Sequence, residues 1–145
     1  MAIRYYEESV RSGLKHKRRL SAFLTDLVHR HLEVKKAGLS YIFCNDAYLL
    51  EKNLQFLQHD TLTDIITFDL SDTAEELNGE IYISVDRVRE NAAKFGVAYN
   101  TELHRVIFHG ALHLCGFKDK KKEDKILMTR MEDSCLQQYF LPDEI

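Results

Sequence analysis

The sequence predicts an α+β fold, a small mixed β-sheet of about four strands flanked by helices. Two patterns carry this expectation. Short β-branched or alternating runs (Leu39–Cys44, Asp64–Leu70 and Gly79–Val85) are separated by longer stretches whose apolar residues recur at helical spacing. The segment from Leu103 to Cys115 is apolar nearly all round, the pattern of a helix inside a protein rather than on its surface. With 145 residues, 45% of them hydrophobic, one domain over 1–145 can bury a core without disulfides or a structural metal.

Taken in order, residues 2–7 suit an opening strand. From Lys15 to Lys35, Leu20, Phe23, Leu24, Leu27, Val28, Leu32 and Val34 form an amphipathic helix, which Gly38 is expected to end. Leu39–Cys44 is a strand, Asn45-Asp46 a turn or helix cap, and Ala47–Leu57 a second helix. Asp64–Leu70 and Gly79–Val85 are strands, with the polar stretch Ser71–Asn78 expected as a loop between them. Val85–Phe95 returns to helix, and Gly96–Asn100 breaks it. The buried helix should begin with Asn100 or Thr101 as N-cap and Glu102 in its first turn. Lys120–Leu136 is the last helix.

Composition excludes several classes. No apolar stretch approaches the ~18–20 residues of a membrane span, and the N-terminus lacks the apolar core of a secretory signal. Cys44, Cys115 and Cys135 are scattered and odd in number, which fits reduced thiols in a cytoplasmic protein. The net charge of −3 hides segregation: residues 11–36 hold eight Arg or Lys against Asp26 and Glu33, whereas residues 60–80 hold seven acids and no Lys or Arg. Such a basic run is either a solvated helix face or a surface for phosphates.

The chemistry concentrates in His-Gly-Ala-Leu-His-Leu-Cys-Gly-Phe-Lys-Asp, residues 109–119. His109 and His113, at i and i+4, lie one above the other on a helix face and can close on one metal ion. Gly116 tolerates the left-handed geometry that stops a helix, and Asp119 then returns with a carboxylate. Two imidazoles, one carboxylate and an open fourth position describe a catalytic zinc site. The spacing is also that of the metzincin proteases, H-E-x-x-H-x-x-G-x-x-H, with two changes. Gly110 replaces the general-base Glu and Asp119 the third His. Without that Glu, peptide hydrolysis is disfavoured.

The run resembles the H-G-x-L-H-L-x-G-Y-D-H signature of the YbeY family of bacterial rRNA-maturation endoribonucleases. Thr63-Asp64-Ile65-Ile66-Thr67-Phe68 is similar to the family's T-[ND]-V-L-S-F strand, and Asn78-Gly79-Glu80-Ile81-Tyr82-Ile83-Ser84 to its L-G-[DE]-I-x-I-S strand. Asn53 and Asp60 stand at matching offsets, so the resemblance runs collinearly over roughly residues 40–135.

That resemblance implies one Zn²⁺ on His109, His113 and Asp119, and a role in 16S rRNA 3′-end maturation and ribosome quality control, with the 16S precursor and the small ribosomal subunit as partners. Two departures stand out. Asp119 takes the place of the family's third histidine, a substitution zinc accepts. Leu57 takes the place of an arginine expected to face the site, with His59 two residues on as a candidate substitute. Leucine cannot hold a phosphate as a guanidinium does, which leaves open a zinc-containing rRNA-binding factor without nuclease activity. Further candidates are Thr67 and Asp69, as pocket-lining or strand-end residues, and Glu102, as support for a ligand imidazole or for the helix start. Lys15, Lys17, Arg18 and Arg19 are candidate RNA contacts, and Lys118 and Lys120 flank Asp119.

Overall fold

A computed structural model describes residues 1–57 and 63–140; the Leu57 side chain, His59 and Asp60 lie outside that range. Strand β1 (Ala2–Glu7) leads through helix α1 (Lys17–His31) to β2 (Lys36–Cys44). Helix α2 (Asp46–Lys52) follows and runs into one π-helical turn over Asn53–Leu57. Strands β3 (Ile65–Asp69) and β4 (Glu76–Ser84) precede three helices, α3 (Val85–Phe95), α4 (Tyr99–Leu114) and α5 (Lys122–Tyr139). The strand order is β1-β2-β4-β3, with β1, β2 and β4 parallel and β3 antiparallel to β4. The result is the expected four-stranded mixed sheet with helices, an α+β fold.

Alternation along β2 and β4 sets the core. Leu39, Tyr41 and Phe43 on β2 and Leu77, Ile81 and Ile83 on β4 are buried, while Tyr82 between them is only half-buried. This buried face joins Leu20, Leu24, Leu27 and Val28 of α1 and Leu103, Ile107 and Ala111 of α4 in one cluster. The Tyr41 hydroxyl donates to the Ile107 carbonyl across 2.9 Å, tying the sheet to α4. On the other face a smaller cluster holds Cys44, Leu49 and Ile66. Cys44, Cys115 and Cys135 are free thiols.

Several boundaries differ from the sequence expectation. Helix α1 stops at His31, and Leu32 is already extended. Gly38 does not end that helix but sits inside β2, opposite Ala2 on one side and Asn78 on the other. The polar segment 71–78 is not all loop, because β4 begins at Glu76. Lys36 to Gly38 pair with Glu76 to Asn78, and strand hydrogen bonds from β2 override the low β propensity there. Helix α4 starts at Tyr99 with Ala98 as its N-cap and no side-chain cap, so neither Asn100 nor Thr101 performs that role. Helix α5 is shifted toward the C-terminus of the expected span. Asn45 does cap α2, accepting from the Tyr48 N–H at 2.8 Å, and Gly96 ends α3 at φ 68°.

A candidate metal centre between α4, α5 and the edge of the sheet

Helix α4 lies against the sheet closely enough that position 110 has no room for a side chain. A Cβ there would stand 2.8 Å from Ile81 Cγ2 and 3.0 Å from Ile65 Cδ1. Gly110 is therefore a packing residue, and the carboxylate a protease carries at that position has no space. The close approach leaves His109 and His113 on the flank of the helix, beside the β3 edge.

The helix ends in a Schellman motif. Phe117 N–H donates to the Leu112 carbonyl at 3.1 Å, Gly116 N–H donates to the His113 carbonyl at 3.0 Å, and Gly116 holds φ 104°. That reversal turns the chain back so that Asp119 faces the two imidazoles. His109 Nε2 is 3.3 Å from Asp119 Oδ2, and His113 Nε2 is 3.4 Å from Asp119 Oδ1. Tetrahedral zinc with bonds of ~2.0–2.1 Å needs donor atoms about 3.3 Å apart. Each imidazole meets that spacing to one oxygen of the Asp119 carboxylate, and one donor atom from each of the three residues lies within 4.8 Å of the others. The donor set thus fits one divalent cation.

Around these donors lies a recess of about 320 Å³ whose walls include Asp64, Thr67, Glu102, Arg105 and Glu132. Glu132, on α5, accepts the His109 Nδ1–H at 2.6 Å through Oε2. Its other oxygen accepts from Arg105 at 2.9 Å. A carboxylate on Nδ1 fixes the ring orientation and leaves the Nε2 lone pair free for a metal. It also raises the His109 pKa: burial alone would lower it, but the hydrogen bond and charge of Glu132, with Asp119 and Asp64 nearby, outweigh burial. Burial is the main reason that the Asp64 and Glu102 carboxyls sit above their ordinary values, and each also feels other acids of the recess.

The candidates singled out from sequence divide clearly. His109, His113 and Asp119 come together, and Thr67 and Glu102 line the same recess. Glu102 is buried, but the carboxylate on His109 is that of Glu132. Asp69 lies outside the recess, exposed at the end of β3, where its Oδ1 accepts the Ser71 N–H at 3.0 Å. Lys118 and Lys120 are exposed. Lys15 precedes α1, and Lys17, Arg18 and Arg19 are exposed on its first turn. Lys15 and Arg19 border a different cavity. Lys35, counted with the basic helix, instead pairs with Glu75 at 3.5 Å beside the sheet.

Sequence reasoning missed Glu132, Arg105 and Asp64 as parts of this site. For Glu132 a signal existed: Met128, Glu132, Cys135 and Tyr139 form the buried stripe of α5, and an acid on such a stripe needs a buried partner.

Taken together, fold and recess define an α+β protein with a three-donor site suited to one divalent cation. The chain belongs to the endoribonuclease YbeY family, whose model matches residues 5–140. It is 55% identical over 106 residues to the endoribonuclease YbeY of Flavobacterium psychrophilum, covering 72% of this chain and 75% of that one. Against the protein of the same name from Parabacteroides distasonis it is 43% identical over 145 residues, 99% of each chain. A Thermotoga maritima protein solved in solution superposes with a TM-score of 0.61 at 25% identity, covering 95% of this chain and 89% of that one. No helix among the described residues is long and apolar enough to cross a membrane.

Proposed function

We propose that this protein, acting as one domain over 1–145, is a zinc-dependent endoribonuclease specific for single-stranded RNA. Its substrate on this reading is the 16S rRNA precursor, cleaved in 3′-end maturation and ribosome quality control on the small ribosomal subunit in the cytoplasm. One observation carries the catalytic part of the proposal: the 3.3 and 3.4 Å spacings that join Asp119 to both imidazoles. The curated relatives named as endoribonucleases support the substrate class. The free thiols support a reducing compartment.

His109, His113 and Asp119 would hold the ion. Bound zinc supplies Lewis acidity and offsets phosphate charge. Glu132 keeps His109 in the tautomer that presents Nε2, and Arg105 keeps Glu132 in place. Among the described lining residues, four carboxylates (Asp64, Glu102, Asp119 and Glu132) face one arginine. A cation on the three donors would reduce the negative charge a phosphate meets in such a recess. Asp64 and Glu102, whose pKa values burial raises, are the recess carboxyls suited to exchange a proton with the reacting oxygens.

The same acidity favours a second reading, a zinc-containing rRNA-binding factor that does not cut, and Leu57 in place of an arginine points the same way. Incubating metal-loaded protein with a single-stranded 16S precursor separates the two. Cleavage that disappears in Asp119→Ala, together with the metal, supports the nuclease. Tight binding without cleavage by the wild type supports the factor. Cleavage that persists in metal-free protein rejects the zinc mechanism. Leu57→Arg gaining activity would locate a partial defect.

A further inference from the structure

A second cavity, of about 460 Å³, opens on the other side of α4. Lys15 and Arg19 border it where α1 begins, Arg89 projects from α3, and Tyr99, His104 and Tyr139 complete the wall. At 100° per residue, positions 100 and 104 lie about half a turn round α4 from 102, 106, 109 and 113. The two concavities therefore share one helix and face opposite ways.

The chemistry is inverted as well. Among the described lining residues there is no Asp or Glu, although the whole chain carries a net charge of −3. Burial lowers the His104 pKa, so the positive charge comes from Lys15, Arg19 and Arg89. Both arginines are held by rings. Arg89 lies 4.5 Å from the Tyr99 centroid, and Arg19 lies 4.5 Å from that of Tyr139 while also donating to the Tyr139 carbonyl. His104 stacks on Tyr139 at 5.2 Å, and its Nδ1 donates to the Asn100 carbonyl at 2.7 Å. The two arginines are thus prearranged by rings, the buried Tyr139 and the half-buried Tyr99, while Lys15 is exposed at the rim. Helices α1 and α4 both begin here without a side-chain cap, so their first-turn N–H groups add positive potential.

We propose that this cavity is a second phosphate subsite, which holds the backbone of the RNA strand away from the reacting phosphate. The inference rests on the reading of the protein as an RNA-cleaving enzyme. A strand fits better than a small phosphorylated molecule, because Lys17 and Arg18 add exposed positive charge on the same first turn of α1 outside the cavity lining, charge that a single phosphate in the cavity would not use.

Binding of a labelled single-stranded RNA, followed by anisotropy across a salt series, tests the proposal. Lys15→Gln combined with Arg89→Gln should weaken binding about tenfold or more, and the slope of log K against log salt should become shallower by about 0.7 per cation removed. Arg89→Lys keeps the charge and should keep the slope, even if loss of the ring contact lowers the melting temperature. Inorganic phosphate should shift the amide resonances of residues 17–19 and 99–101 in the wild type and not in the double variant. Unchanged RNA affinity and salt slope in the double variant overturn the proposal, whether or not phosphate binds. Asp119→Ala separates this from the recess: lost cleavage with wild-type RNA affinity is expected, and cleavage surviving there sinks the recess reading alone.

Discussion

Helix α4 presents two faces that differ in sign. Toward β3 and α5 it offers His109 and His113 to a recess walled by Asp64, Glu102, Asp119 and Glu132. Toward α1 and α3 it offers Tyr99 and His104 to a cavity ringed by Lys15, Arg19 and Arg89. The helix itself supplies Glu102 and Arg105, of opposite sign; its neighbours supply the rest. Asp64 comes from the acidic stretch 60–80 and Lys15 and Arg19 from the basic stretch 11–36, whereas Asp119, Glu132 and Arg89 come from elsewhere, so the contrast across this buried helix is assembled by the fold. Acids concentrate where a cation can repay their repulsion, and bases where a phosphate can.

The largest effect that would sharpen this contrast lies on the acidic side. Glu132→Gln keeps the shape of the side chain and an oxygen for His109 Nδ1–H but removes the negative charge. Metal affinity should fall about 10–100-fold, the range for loss of a partner that supports a ligand imidazole. Competition against a chromophoric chelator reads this directly, and unchanged affinity would mean that the 2.6 Å contact does not tune the site. Phosphate shifts at the basic cavity should be the same in this variant as in the wild type.

Gly110→Ala comes next and tests the scaffold that separates the two faces. The added methyl meets Ile81 and Ile65, so α4 must move off the sheet or the isoleucines must shift. Overpacking of this kind costs about 1–3 kcal/mol, readable from denaturant unfolding. A neutral result would show that α4 has slack against β4 and that its histidines are less rigidly placed than the contacts suggest.

The pH dependence of the metal-free protein separates the faces again. His109 has a folded pKa above the unfolded imidazole value of about 6.5. Its stabilising contribution is fully present below that value and is lost as pH rises through the folded pKa. Asp64 and Glu102, raised by burial, act in the same direction, since their charged forms are the disfavoured ones. Metal replaces the His109 proton and binds better as pH rises. The gap in melting temperature between metal-loaded and chelator-treated protein should therefore widen from about pH 5 to 8. A gap that narrows would contradict the assignment of His109 as a ligand.

How much of this could be read from the chain depends on whether the controlling contact is local. The His109–Asp119 segment is legible because its helix spacing and its Gly116 turn are both encoded within eleven residues. Gly96 marks the end of α3 for the same reason. Glu132 is not legible from that motif, since its meeting with His109 depends on how α5 packs across α4. The start of β4 at Glu76 is set by pairing with Lys36 on a strand forty positions earlier, so polar composition alone gives a loop. Gly38 misleads for a related reason: a helix stop and a glycine inside a strand look the same until the neighbouring strands are in place.

The smallest expected effect distinguishes a built cavity from general positive charge. Lys17 and Arg18 belong to the same basic run as Lys15 and Arg19, yet they do not border the cavity among its described lining residues. If α1 merely attracts RNA through its summed field, Lys17→Gln and Arg18→Gln should lower affinity as much as Lys15→Gln does. If the cavity-lining cations form a discrete subsite, the two outer variants should each change affinity by less than about twofold near 0.15 M salt, where the ~8 Å Debye length weakens charges not in contact. Their effect should then grow at low salt, whereas the Lys15 effect persists at higher salt. Equal losses for all three positions across the salt series would reduce the basic side of α4 to a diffuse field and leave the acidic recess as the one structured site on the helix.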